Sequence, residues 1–167
     1  YATYTTLPSG YGLERVGSAI PAKTLVLTFD DGPDPVWTPQ VLAVLKRFQV
    51  PATFFVVGDQ AQKNPEWLAQ ISQDGFTVGN HTYLHPNLQT ISDARLRLEV
   101  NSTQRVIESS IGKQTVLFRA PYDTDTSPST FAQLAPLKII SEMGYVIAGA
   151  NIAANDWLRP GVDTIVG

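Results

Sequence analysis

Thr24-Leu25-Val26-Leu27-Thr28-Phe29-Asp30-Asp31-Gly32-Pro33 decides how the chain is read. Its first six residues are apolar or β-branched, as in a strand buried on both faces. Two adjacent carboxylates follow at once, then a Gly-Pro turn. Ionising both carboxylates at the end of an apolar strand is costly unless a cation or hydrogen bonds compensate. A solvated loop does not account for the pair there; a metal ligand beside a general base does.

Working outward, strand and helix alternate. Thr38-Pro39 offers an N-cap and a first-turn proline, with Val41, Leu42, Leu45 and Phe48 at helical spacing. Further strands are predicted over 52–57, 76–79, 115–118 and 145–150. Helices are predicted from Asn64-Pro65-Glu66 to Gly75, from Ser92-Asp93 towards Gly112, and over 128–143 with an irregularity at Pro136. Residues 1–22, with Pro8, Gly10, Gly12 and Gly17, read as an irregular lead-in, and 23–167 as the domain. Repeated strand–helix–strand units imply parallel pairing with right-handed crossovers. Chemistry in such folds sits on the loops after the strands' C-terminal ends.

Those loops carry the ionisable residues. Asn80, His81 and His85 follow the third strand, and the chain has no other histidine. The i, i+4 spacing predicts two imidazoles on one side of a helical turn that ends before Pro86. Two histidines and a carboxylate suit a metal with an open coordination position. Arg119 and Tyr122 follow the fourth strand, and a buried guanidinium there calls for a carboxylate partner. Asp156 and Trp157 follow the fifth. Alone, Asp156 reads as a cap or a solvated loop residue and Trp157 as core.

The composition sets the limits. The chain has 167 residues, of which 43% are hydrophobic and 16% charged, with net charge −3. That is enough for one real core and argues against a grip on nucleic-acid backbones. No apolar run approaches the roughly 20 residues of a membrane helix. Without cysteine there is no disulfide or thiolate zinc site. A complete eight-stranded barrel takes about 250 residues.

Thr28-Phe29-Asp30-Asp31-Gly32, His81-Thr82-Tyr83-Leu84-His85, Arg119-Ala120-Pro121-Tyr122 and Asp156-Trp157 resemble, in order, four motifs of the polysaccharide deacetylases. These are the NodB-homology proteins, carbohydrate esterase family 4. The stretch through Asn155-Asp156-Trp157-Leu158-Arg159-Pro160-Gly161-Val162-Asp163 also resembles a bacterial subgroup fused to a family 2 glycosyltransferase. The resemblance implies an α/β fold, a distorted (β/α) barrel with seven strands, and one divalent ion, usually Zn2+ with Co2+ or Ni2+ as substitutes. It makes Asp31, His81 and His85 the metal ligands and Asp30 the general base. Arg119 would orient Asp30, and the Tyr122 N–H would stabilise the oxyanion. Trp157 would line the acetyl pocket and Asp156 would tune a catalytic histidine.

The implied reaction is metal-dependent hydrolytic N-deacetylation of an N-acetylglucosamine-containing polysaccharide, releasing acetate outside the cytoplasm. The alternatives are an O-acetyl esterase on xylan or another glycan, and a non-catalytic carbohydrate-binding relic. Two departures stand out. Ala153 replaces the family's Asp three residues before Asp-Trp. The fifth motif, a strand ending in Leu-His that supplies the general acid, has no counterpart. The expectation is therefore a barrel truncated at its C-terminus. A fused glycosyltransferase or a complementing C-terminal fragment would be its partner.

Overall fold

The computed structural model describes residues 2–7, 10–15, 24–123, 128–150 and 152–166. Seven strands form one sheet in the order β2-β1-β7-β6-β5-β4-β3. The parallel part runs in chain order through β3 (Leu27–Phe29), β4 (Ala52–Val56), β5 (Thr77–Asn80), β6 (Leu117–Phe118) and β7 (Val146–Ile147). Helices α1 (Trp37–Phe48), α2 (Gly58–Lys63), α3 (Pro65–Gln73), α4 (Asp93–Ile111) and α5 (Phe131–Glu142) make the crossovers, and α6 (Val162–Val166) follows β7. This is an α/β fold built on a parallel sheet, the class that the sequence resemblance implies.

The expected irregular lead-in is a correction. β1 (Ala2–Leu7) and β2 (Gly10–Arg15) pair antiparallel, and Ala2 pairs with Ile147 of β7. Ala2-Thr3-Tyr4-Thr5-Thr6-Leu7 is rich in β-formers. The glycines and proline around that run punctuate strands instead of abolishing them. Seven strands are therefore reached through an antiparallel hairpin, not through further βα units. The five predicted strands all form, but most are shorter than predicted, and the first, expected to be buried, is the edge strand β3, with Leu25, Val26 and Leu27 exposed.

Helix ends follow local chemistry. Ser92 accepts the Arg95 N–H, and Gly112 closes α4 in the left-handed region at φ 65°. Thr130 and Gln133 form a capping box on α5, which continues through Pro136. At α1 the expected Thr38 cap is displaced. Asp34 Oδ1 takes the Val36 and Trp37 N–H groups, and Thr38 Oγ1 accepts from the Asp34 N–H.

Two apolar clusters hold the sheet level. One joins Leu42, Leu45, Phe54, Val56, Leu68, Ile71 and Ile107; the other joins Leu96, Val100, Phe118, Leu137, Ile140 and Ile147. α4 contributes to both through Leu96, Val100 and Ile107, one face of the helix. Burying such side chains is worth roughly 1.5–3 kcal/mol each. The parallel strand ends then align: Val56 pairs with Asn80, Asn80 with Phe118, and Phe118 with Ile147.

Candidate metal centre

The residues after those aligned ends converge. His81 N–H donates to the Val56 carbonyl at 3.0 Å, and Arg119 N–H donates to the Asn80 carbonyl at 3.1 Å. Each loop therefore starts from its neighbour strand. Asp31, His81 and His85 each present a ligand atom, and these atoms lie within 4.8 Å of one another. Asp31 Oδ1 is 3.5 Å from His81 Nε2 and 3.3 Å from His85 Nε2.

His81 is buried, and its Nδ1 donates to the Arg119 carbonyl at 2.8 Å. A carbonyl only accepts, so in the neutral ring Nε2 is left with its lone pair, aimed at Asp31. A lone pair facing a carboxylate repels it unless a cation or a proton lies between. The three residues therefore fit a divalent ion, and the His81–carbonyl bond is the support that metal-binding imidazoles use.

The electrostatics point the same way. Burial is the largest influence on His81 and opposes its charge. The hydrogen bond to Asp31, the Asp30 carboxylate and the Arg119 carbonyl together outweigh it and hold its pKa above the usual range. The His81 hydrogen bond holds Asp31 below the carboxylate range. Burial and repulsion by His81 keep His85 below the usual imidazole range. The site favours a positive charge at its centre.

Asp30 stands beside this cluster. Arg119 Nη1 donates to Asp30 Oδ1 at 2.9 Å and to Thr28 Oγ1 at 2.6 Å, and its Nε donates to the Ala148 carbonyl at 2.7 Å. The guanidinium carbon lies 4.3 Å over the Phe55 ring. Burial pushes the Asp30 carboxyl up, Asp31 adds to this, and His81 and Arg119 pull against it. A positioned carboxylate with raised basicity is suited to taking a proton.

The polysaccharide deacetylase family profile matches residues 17–146. The chain belongs to that family. It is 35% identical over 161 residues to a peptidoglycan-N-acetylglucosamine deacetylase of Bacillus cereus, covering 95% of this chain and 71% of the relative. It is 36% identical over 151 residues to a chitooligosaccharide deacetylase of Bradyrhizobium, covering 90% and 66%. The solved structure of the peptidoglycan deacetylase PdaC from Bacillus subtilis superposes with a TM-score of 0.74 at 35% identity, covering 89% of this chain and 69% of that one. The chain thus spans about two thirds of the length of these relatives. None of these likenesses brings the glycosyltransferase partner that the resemblance suggested.

Among the predicted site residues of this family member, Asp30, Asp31, His81, His85 and Arg119 come together. Tyr122 joins them, its ring 4.8 Å from that of His85, with φ 60°. Asp156 and Trp157 do not join. They lie on a short turn, Asp156–Leu158, with Trp157 73% exposed. Among the described residues no hydrogen bond or ion pair links Asp156 to either histidine.

The expected helical turn between the histidines is also corrected. Thr82 (φ 67°) and His85 (φ 55°) are left-handed, and the segment is a loop. Its amides bond to side chains instead of to i−4 carbonyls: Thr82 N–H to Asn80 Oδ1, His85 N–H to Thr82 Oγ1, and Tyr83 and Leu84 N–H to Glu99. Sequence reasoning missed Glu99. Its signal is a charged residue inside the buried stripe Leu96, Val100, Thr103, Ile107 of α4.

Proposed function

We propose that the chain performs metal-dependent hydrolytic N-deacetylation of an N-acetylglucosamine-containing polysaccharide, outside the cytoplasm. The observation that supports this best is the convergence of His81 Nε2, His85 Nε2 and Asp31 Oδ1 beside an Arg119-held Asp30. The names of the relatives, a peptidoglycan and a chitooligosaccharide deacetylase, support the substrate class. No described helix is long and apolar enough to cross a membrane.

A divalent ion, most simply Zn2+ with Co2+ or Ni2+ as substitutes, supplies acidified water and carbonyl polarisation when bound. The rest falls to the chain. Asp30 takes one proton from the attacking water, whose oxygen bonds to the acetyl carbon. Arg119 keeps Asp30 aimed and its charge balanced. The Tyr122 N–H is assigned to the developing oxyanion, the Tyr122 ring lying against that of His85. The C–N bond then breaks as the proton collected by Asp30 passes to the nitrogen; a free amine and acetic acid leave, and the acid ionises to acetate.

Acetate release from N-acetylglucosamine oligomers and from peptidoglycan, with Zn2+ or Co2+ present, tests the reading. Asp30→Asn should abolish it, and turnover at the wild-type level in that variant overturns the assigned base. Acetylxylan in a parallel assay separates amide from ester hydrolysis: faster release from the ester replaces the amide reading.

A further inference from the structure

The segment joining the two histidines is gripped from both sides. The Thr82 and Tyr83 carbonyls accept the Gly58 and Asp59 N–H groups at the start of α2, at 2.9 and 3.0 Å. A Cβ on Gly58 would lie 2.4 Å from Tyr83 Cδ2 and 3.1 Å from its Cα, so this close approach requires glycine. On the other side sits Glu99 of α4, only 1% exposed. One of its oxygens accepts the Tyr83 N–H at 2.8 Å and the Leu84 N–H at 2.7 Å. The other accepts Arg95 Nε at 2.9 Å and Nη2 at 2.6 Å.

A buried carboxylate is tolerated only with such partners. Here the partners are the two amides midway between His81 and His85. Two left-handed non-glycine residues, Thr82 and His85, persist only where their surroundings over-determine them. Helical i→i−4 bonding would remove Tyr83 and Leu84 N–H from Glu99 and turn His85 away from Asp31.

We propose that Glu99 is a positioning residue that holds the His81–His85 loop in its metal-binding conformation, with Arg95 balancing its charge. This rests on the reading of Asp31, His81 and His85 as metal ligands. Glu99 touches neither ion nor substrate; it acts through the backbone of Tyr83 and Leu84. A purely structural staple between α4 and the loop would lower the unfolding temperature and leave the affinity of the folded protein unchanged. A positioning role weakens that affinity.

The test is Co2+ titration by visible absorption, with a competing chelator, well below each protein's unfolding temperature. Glu99→Leu removes both acceptors. It should weaken Co2+ binding towards the upper end of the roughly 10–100-fold range for supports of metal ligands. Glu99→Gln keeps an oxygen for the amides but turns its NH2 towards Arg95; about tenfold is expected, the lower end of that range. Wild-type affinity in folded Glu99→Leu overturns the inference. Where Glu99→Leu does not fold, Glu99→Gln decides, and unchanged affinity there overturns it equally. Wild-type protein that binds no Co2+ overturns the metal reading itself; tight binding unaffected by either variant overturns only the role of Glu99.

Discussion

The main-chain carbonyl of Arg119 accepts the Nδ1 proton of His81 at 2.8 Å, while the same residue's guanidinium donates to Asp30 at 2.9 Å. One residue thus supports the proposed metal ligand His81 through its backbone and the proposed base Asp30 through its side chain. The two duties separate by mutation. Arg119→Lys keeps a buried charge and the carbonyl, but lacks the planar fork whose Nε and Nη1 reach the Ala148 carbonyl on one side and Asp30 and Thr28 on the other. Turnover should fall about 10²–10⁴-fold, the usual worth of a positioned base. Metal content should hold, as read by elemental analysis beside acetate release. Loss of the ion along with the activity contradicts this division.

Elemental analysis should find about one divalent ion per chain in the wild-type protein, and His81→Ala and His85→Ala should both lower that occupancy sharply. Their costs to folding differ. His81 is 3% exposed and leaves the Arg119 carbonyl without its donor, at about 1–3 kcal/mol. His85 is 28% exposed at its side chain and should cost less. Thermal unfolding in EDTA reads the gap; equal stability of the two variants contradicts the assigned His81 bond.

Metal affinity should depend on pH through His81. Its pKa in the metal-free protein is raised above 6.5, and the ion needs Nε2 unprotonated. His85 is lowered and yields its lone pair without competition. Protons therefore compete at His81 up to its raised pKa, and affinity falls as pH drops through that value. Below that value, ion binding should release a proton from His81. Calorimetry in buffers of different ionisation enthalpy, run over a series of pH values, counts it; no proton release at any acidic pH at which the protein stays folded excludes a charged His81.

The chemistry of the site was legible because it sits next to strong strand signals. Asp30-Asp31 after Leu27-Thr28-Phe29 and the i, i+4 histidines stand out against apolar runs. The bonds between loops were not legible. Glu99 lies 14 residues after His85 and reads as a solvated helix charge until α4 is known to bury that face. The β1–β2 hairpin was hidden because its strands are punctuated by glycines that read as loop. The helical turn between the histidines was the default for that spacing. Only tertiary acceptors, Asn80 and Glu99, could pull its amides elsewhere.

Gly79 carries a consequence that reaches Asp30. A Cβ built on Gly79 would lie 2.3 Å from Phe55 Cδ1 and 2.4 Å from Cε1, so the ring must move. That ring's face lies 4.3 Å under the Arg119 guanidinium carbon, which in turn holds Asp30. Phe55 is 1% exposed and has no free space to shift into without disturbing its neighbours. Gly79→Ala should therefore destabilise by about 1–3 kcal/mol through overpacking. It should also lower turnover more than substrate affinity, because the base is tilted while the metal ligands stay tied to their own partners. Gly79→Ala with Phe55→Leu should recover folding, since the smaller side chain clears the added methyl. It should not recover full turnover, since the aromatic face under Arg119 is gone. Denaturant unfolding and steady-state kinetics on the single and double variants read both effects. Full turnover in the double variant contradicts a role for the Phe55 face in aiming Arg119 at Asp30.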